Sequence, residues 1–235
     1  MINPVCARVT EVIPRNYNVK SIRVAVDGTI EFKAGQFLRI KLNNDENLQR
    51  YLSISNSPTE KGYIEFTKKI TDSDFSAALS ILKPGDMVSI EYPYGAFTLE
   101  RAAEKIVFIS GGIGITPIRS MCKFAADKKL NLDIALLYAN NSVRDIAFRE
   151  DFEIMQKEYS NLRVIHVLCQ KDTEFSCIVG RINSDIIKKE VSDYLERFFF
   201  LCGPPSMVEA MKGLLVKELG VPSGNIITEN FQGYQ

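Results

Sequence analysis

Residues 105–117 read KIVFISGGIGITP, and this stretch decides how the second half of the chain folds. Lys105 to Ser110 is an apolar run of strand length. Gly111, Gly112 and Gly114 follow at once, then Thr116 and Pro117. Glycines let a backbone turn tightly and come close to a ligand without a Cβ in the way. The pattern predicts Thr116 as the N-cap of a helix and Pro117 as its first residue, where a missing N–H does no harm. The free N–H groups and the dipole at such a helix start attract an anion, and a pyrophosphate is the natural guest. The spacing is not G-x-G-x-x-G, so the generic dinucleotide fingerprint does not apply. Taken alone, the segment also fits a plain strand–helix turn.

Downstream of this turn the same style continues. Apolar runs at 134–138, 164–168 and 198–201 alternate with helical patterns at 117–127, 145–159, 183–189 and 205–219. In the last of these, Met207, Met211, Leu214 and Leu215 recur at helical spacing. Strands apolar on both faces are typical of a parallel sheet covered by helices, so the alternation predicts a doubly wound α/β half.

Upstream the period changes to two. Leu38, Ile40 and Leu42 alternate with Arg39 and Lys41. Ile64 and Phe66 alternate with Glu65 and Thr67, and Val88, Ile90 and Tyr92 with Ser89 and Glu91. Turn signals at Asp27-Gly28, 43–45, Lys61-Gly62 and Pro84-Gly85 separate these segments. One helical pattern, 75–82, lies in a crossover. Half-buried short strands without long helices predict a small antiparallel barrel or sandwich. The expected division is an antiparallel β-barrel domain over 1–101 and an α/β doubly wound domain over 102–235.

Composition narrows the function classes. The chain has 235 residues, 46% of them hydrophobic, enough for a sizeable core. Lys+Arg and Asp+Glu both number 29, without the basic excess of a polyanion binder, so no nucleic acid is expected. No apolar run approaches the roughly 18 residues of a membrane span, and the first residues do not resemble a signal peptide. Cys6, Cys122, Cys169, Cys177 and Cys202 form no C-x-x-C pair, which suits reduced thiols in the cytoplasm and no metal site. His166 is the sole histidine and lies within an apolar run, so it reads as a strand residue rather than a base. Without a second histidine, a Ser–His–Asp triad elsewhere or a His-rich metal centre is not expected.

Six short motifs, in order, resemble the ferredoxin–NADP reductase family of flavoproteins. They are Gly35-Gln36-Phe37, Arg50-Tyr51-Leu52-Ser53, Pro84-Gly85-Asp86, Pro93-Tyr94-Gly95-Ala96-Phe97, Gly111 to Pro117, and Cys202-Gly203-Pro204-Pro205-Ser206-Met207. The resemblance covers nearly the whole chain. It implies an FAD-binding barrel followed by an NAD(P)-binding domain, with NADH or NADPH passing a hydride to FAD. It also implies a redox protein or small molecule as electron acceptor, such as a ferredoxin, a flavodoxin or free flavin.

Residue by residue, the resemblance implies that Arg50 contacts the FAD pyrophosphate, as a bidentate guanidinium can. Leu52 stands where the family has a ring-stacking Tyr, so dispersion would replace stacking. Tyr51 should point the other way along the strand, and Ser53 would hydrogen-bond the flavin near N5. Thr67, Lys68 and Lys69 would line the FAD, followed by Phe75 and Ser76, with Ser76 capping a helix toward phosphate. Gly111, Gly112, Gly114, Thr116 and Pro117 would hold the nicotinamide dinucleotide. Cys202, Gly203 and Pro204 would lie beside the nicotinamide. Glu229 is a proton-relay candidate, and Phe231, with Tyr234 as the alternative, a flavin-shielding aromatic. Cys169-Gln170 stands where NADPH users often carry Ser-Arg, which points to NADH. Alternatives are an electron-transfer subunit of a larger complex and a non-enzymatic nucleotide sensor. No cysteine cluster follows Cys202, so an iron–sulfur segment within this sequence is not expected.

Overall fold

The computed structural model describes residues 4–26, 28, 30–101 and 104–229. The N-terminal half holds six antiparallel strands: β1 (Val5–Asn16), β2 (Val19–Ala25), β3 (Phe37–Lys41), β4 (Gln49–Ser53), β5 (Ile64–Lys69) and β6 (Met87–Tyr94). Their order in the sheet is β4-β3-β6-β1-β2-β5, and a bridge from Ile54 to Phe66 brings the two outer strands together into a barrel. The alternation seen in the sequence fills it: Ile22, Leu38, Ile40, Ile64, Phe66 and Ile90 are fully buried. The short helix α1 (Asp74–Ser80) closes one end with Phe75 and Leu79.

In this half, β1 and β2 escaped the sequence reading for a physical reason. The β1–β2 ladder shifts register between Val9 and Glu11 and again between Pro14 and Asn16. Each shift breaks the period-two pattern by which a strand is recognised. The Asn43-Asn44 turn was legible, and both asparagines take left-handed backbone (φ 52° and 54°), which this residue tolerates.

The second half is a six-stranded parallel sheet of β7 (Lys105–Gly111), β8 (Asp133–Asn140), β9 (Leu162–Leu168), β10 (Ile178–Val179), β11 (Phe198–Cys202) and β12 (Ile226–Glu229). The order is β10-β9-β8-β7-β11-β12. Helices α2 (Ile115–Lys128) and α3 (Arg149–Glu158) cover one face. Helices α4 (Ser184–Glu190) and α5 (Pro205–Lys217) cover the other. The third helix starts at Arg149 rather than at 145. A capping box between Ser142 and Asp145 closes a separate 3₁₀ turn there, and Phe148 then takes left-handed backbone (φ 59°). Strand order reverses between β7 and β11, and ligands of such sheets gather at the carboxyl ends beside that reversal.

Candidate functional site

The glycine turn stands at that switch point. Gly112 takes φ +52°, and a Cβ there would meet nothing within 4 Å, so it is open toward the space above the sheet. Gly114 is a glycine for another reason, since a Cβ there would lie 2.3 Å from the carbonyl oxygen of Cys202. At Gly111 the space is filled by Met207, 2.5 Å from a built Cβ. Only one of the three glycines therefore opens the backbone to a ligand; the other two let the turn close on β11 and α5.

Two sequence expectations are corrected here. Residues 112–114 form a 3₁₀ turn that starts the helix early, so the N-cap is Gly114. Thr116 is the second helical residue, and its hydroxyl donates to the Ile113 carbonyl at 3.1 Å. Pro117 is the third, still within the first turn, where a missing N–H leaves no intrahelical bond unmade. The Tyr138 hydroxyl donates to the Gly112 carbonyl at 3.1 Å and accepts from the Ala147 amide, holding the turn from beneath.

A groove of about 630 Å³ opens over the turn. Gly111, Gly112, Pro204 and Met207 form one part of its lining, and Asn18 and Lys69 of the barrel form another. Asn140, at the carboxyl end of β8, also lines it while only 8% exposed, and its Nδ2 has no hydrogen-bond partner among the described residues. A buried donor of this kind is costly unless something accepts from it. Sequence reasoning missed Asn140, because an asparagine after an apolar strand ordinarily signals only a turn.

One row of residues crosses the sheet in register. His166 pairs with Tyr138, Tyr138 with Ser110, Ser110 with Cys202, and Cys202 with Glu229. Paired positions of parallel strands share a face, so four neighbouring strands present Tyr138, Ser110, Cys202 and Glu229 together. Cys202 is fully buried, and burial, then the nearby Glu229, pushes its thiol far above the usual range. It is a neutral thiol. Burial raises the Glu229 carboxyl to about 7. His166 belongs to β9 as expected, and burial foremost lowers it to about 4, so it is a neutral ring against Phe175 and Tyr138.

On the barrel side, Ser53 ends β4 opposite Phe37 and is buried. Arg50 lies 5.4 Å from the Phe75 ring centroid and donates to the Gln49 carbonyl. Lys68 is buried close by and donates to the Lys69 carbonyl at 2.6 Å. Burial, then Arg50 and Lys69, lowers its ammonium to about 8. Two cations thus share the barrel end capped by α1.

The expectations for Leu52, Thr67, Lys69 and Ser76 change, while Tyr51 points away from Leu52 as expected. Leu52 is 4% exposed and packs in the barrel core with Leu38 and Ile40, so its side chain is not turned to an open ring-binding face. Tyr51, 53% exposed, joins Phe37 and Tyr94 in an outward aromatic cluster with centroids 5.7–6.1 Å apart. Thr67 faces away from Lys68: its hydroxyl bonds those of Ser21 and Ser55 at 2.7 and 2.8 Å. Lys69, on Thr67's side of β5, lines the groove over the glycine turn instead. Ser76 does not cap α1. Ser73 is the N-cap and accepts from the Ser76 amide at 3.3 Å. Phe231 and Tyr234 lie outside the described residues.

The sequence also gave no sign of the ion network that joins the halves. Arg119 of α2 forks onto Glu60 and contacts Asp151. Arg15 reaches Glu65 and Asp151, and Arg23 reaches Glu65 and Glu11. Burial alone would raise the Glu60 carboxyl, but the Arg119 pair outweighs it and holds Glu60 below its ordinary range.

The profile of the oxidoreductase FAD-binding domain matches residues 7–99, and that of the oxidoreductase NAD-binding domain matches residues 108–213. The glycine betaine monooxygenase reductase subunit of Pseudomonas aeruginosa is 30% identical over 217 residues, covering 88% of this chain and 59% of the relative. The chain thus spans about three-fifths of that protein's length. The cytochrome b5 reductase domain of Ulva prolifera nitrate reductase superposes with a TM-score of 0.84 at 21% identity, covering 97% of both chains. A ferredoxin NADP+ reductase from Neisseria gonorrhoeae, solved with FAD and NADP, gives 0.82 at 18% identity, covering 98% of this chain and 99% of that one. With both domains matched in order on a barrel followed by a doubly wound sheet, the chain belongs to the ferredoxin–NADP reductase family of flavoprotein reductases.

Proposed function

We propose that the chain is an FAD-dependent NAD(P)H oxidoreductase that passes electrons from a nicotinamide dinucleotide to a redox protein or small-molecule acceptor. The observation that carries this reading is the groove at the switch point. There, an open glycine and an unpartnered buried amide donor line a wall built from both domains, and Cys202 lies two residues before Pro204 of the same wall.

In this reading the diphosphate of NADH or NADPH lies over Gly112, and Asn140 donates its unused hydrogen bond to the dinucleotide. Arg50 and Lys68 hold the FAD diphosphate, since an anion between two close cations relieves their repulsion. Ser53 meets the flavin ring, with Tyr51 rather than Leu52 as the neighbouring aromatic. Bound FAD supplies a two-electron acceptor able to pass electrons onward. Cys202, as a neutral buried thiol, keeps water from the reacting face. Glu229, poised near neutral pH, holds or releases a proton at its carboxylate. Arg181 on the groove wall gives a 2′-phosphate one guanidinium, so the kcat/KM ratio for NADPH and NADH is the measure of donor choice. We place the domain division at 101/102 and the protein in the cytoplasm, which its five free thiols suit. Among the described residues no helix is long and apolar enough to cross a membrane.

The test is direct. Purified chain should be yellow, and NADH or NADPH should bleach it without oxygen. A colourless chain that takes up no added FAD overturns the reading. Cys202→Ala should slow bleaching about tenfold or more while changing FAD retention less than twofold; equal loss of both, or of neither, removes Cys202 from its role.

A second reading is favoured by the three-fifths coverage of a relative named as a reductase subunit. The chain would then be the flavin-bearing part of a larger electron-transfer assembly, and a fixed partner retained through purification distinguishes it. Steady turnover with ferricyanide eliminates a non-enzymatic sensor.

A further inference from the structure

We infer that Arg119 is a positioning residue for hydride transfer: it fastens the helix behind the dinucleotide turn to the barrel segment that follows Ser53. The inference rests on the proposed reductase activity and concerns what sets the geometry between its two halves.

Arg119 sits on α2, five residues beyond Gly114, the last residue of the glycine turn. Its guanidinium is spent entirely on fixed partners. Nη2 donates to Glu60 at 3.1 Å and Nη1 donates to the same carboxylate. Nε donates to Asp151 of α3 at 2.9 Å, and Nη1 also reaches the Ser55 carbonyl at 3.3 Å. The next residue, Ser120, donates its hydroxyl to the Asn56 carbonyl at 2.6 Å. Ser55 and Asn56 come two and three residues after Ser53. A single helical turn of α2 thus grips the chain beside the flavin serine while its other end forms the nucleotide turn.

Stability does not account for such a construction. Burying a guanidinium and its carboxylates removes them from water, and an apolar replacement of equal volume often serves stability as well or better. A planar five-donor fork does provide a defined distance and angle between two bodies. The brace is extended on its far side: Arg15 bridges Asp151 at 3.4 Å to the fully buried Glu65 at 3.0 Å, and Arg23 joins Glu65 at 2.9 Å. Both Arg15 and Arg119 also lie over the Phe148 ring, 4.6 and 5.8 Å from its centroid. Transfer between two bound rings is sensitive to displacements of about 1 Å, which can change rates by roughly a hundredfold. A brace between their two carriers is therefore kinetically consequential.

The experiment uses the full chain in three variants: Arg119→Lys, which keeps the charge and loses the fork, Glu60→Gln, which alters the carboxylate that the fork grips, and their combination. Rapid mixing with NADH under anaerobic conditions gives the limiting rate of flavin reduction and the apparent Kd of the donor. The limiting rate should fall tenfold or more in both single variants, with the donor Kd within threefold of the parent, because neither residue lines the groove. The double variant should be no slower than the worse single one. A limiting rate within twofold of the parent in folded Glu60→Gln overturns the inference. A second readout needs no bound cofactor: amide hydrogen exchange of the apoprotein. Exchange at residues 54–57 and 115–120 should quicken together in Glu60→Gln; unchanged protection overturns the brace. If the parent chain is reduced by neither dinucleotide, the activity reading fails, and the exchange result alone decides whether α2 is fastened as inferred.

Discussion

Glu229 shows how one residue's environment becomes a pH dependence. It pairs with Cys202 across β11 and β12, and burial raises its carboxyl to about 7. An unfolded chain titrates the same group near about 4.3. Below that pH both states hold the proton and nothing is gained or lost. As pH rises through the window up to about 7, the unfolded state releases its proton first, so folding stability declines. Above about 7 the loss is complete, at most about 4 kcal/mol at roughly 1.4 kcal/mol per unit. Glu229→Gln stays neutral throughout. It should gain stability relative to the parent between pH 5 and 8, and its flavin reduction should lose an inflection near neutrality. Parallel denaturation midpoints for the two proteins across that range would remove the buried acid from the argument. At this scale the sequence was partly legible. Arg50, Ser53 and Cys202 could be singled out from motifs and Glu229 as an acid in the tail, but which way Leu52 and Tyr51 face depends on the barrel's closure. Arg119 and Asn140 were invisible, since an arginine on a helix reads as solvated until Glu60, 59 residues away, is folded against it.

At the level of elements, the glycine turn separates two functions that the sequence merges. Gly114→Ala would drive a Cβ to 2.3 Å from the Cys202 carbonyl, so the end of β11 must move. Such overpacking destabilises by about 1–3 kcal/mol, and here it also displaces the thiol, so flavin reduction should slow. Gly112→Ala meets nothing within 4 Å but must hold φ +52°. Its strain is about 1–2 kcal/mol, and its new methyl stands where a dinucleotide would lie. Donor affinity should therefore fall while the limiting rate at saturation is kept. Denaturant midpoints and a donor titration for both variants check the contrast; identical behaviour would mean that the turn is only a turn. The strand–turn–helix order here was readable from three glycines and an apolar run. The helix start was not, because a 3₁₀ turn can be inserted before α2 without changing residue composition. Similarly, β1 hid behind its two register shifts, whereas β3, β5 and β6 each keep a run of period-two alternation, despite one shift in the β3–β6 ladder beside Phe37.

For the whole molecule the question is whether barrel and sheet are one cooperative unit. Reductases of two domains can unfold stepwise, each core melting on its own. In this chain the cores are not separate. Val19, Ala34 and Phe97 of the barrel half are buried in the same apolar cluster as Phe108, Ile118 and Phe200 of the sheet half. Phe97 packs on Phe200 edge-on at 5.3 Å. The fully buried Glu65 has its charge balanced by Arg15, which also reaches Asp151 in the other half. Melting either half alone would expose Phe97 or Phe200 and strand a buried ion, so neither half should persist without the other. Urea unfolding of the apoprotein should then give one transition. The chain has no tryptophan and nine tyrosines, so tyrosine fluorescence and far-ultraviolet circular dichroism are the probes, and their midpoints should coincide. Phe97→Ala should lower both midpoints together, for a loss of about 3–5 kcal/mol of stability. Two separated transitions in the parent, or a shift of only the barrel's signal in the variant, would show the domains to be independent, and the rigid cleft between them would lose its physical basis.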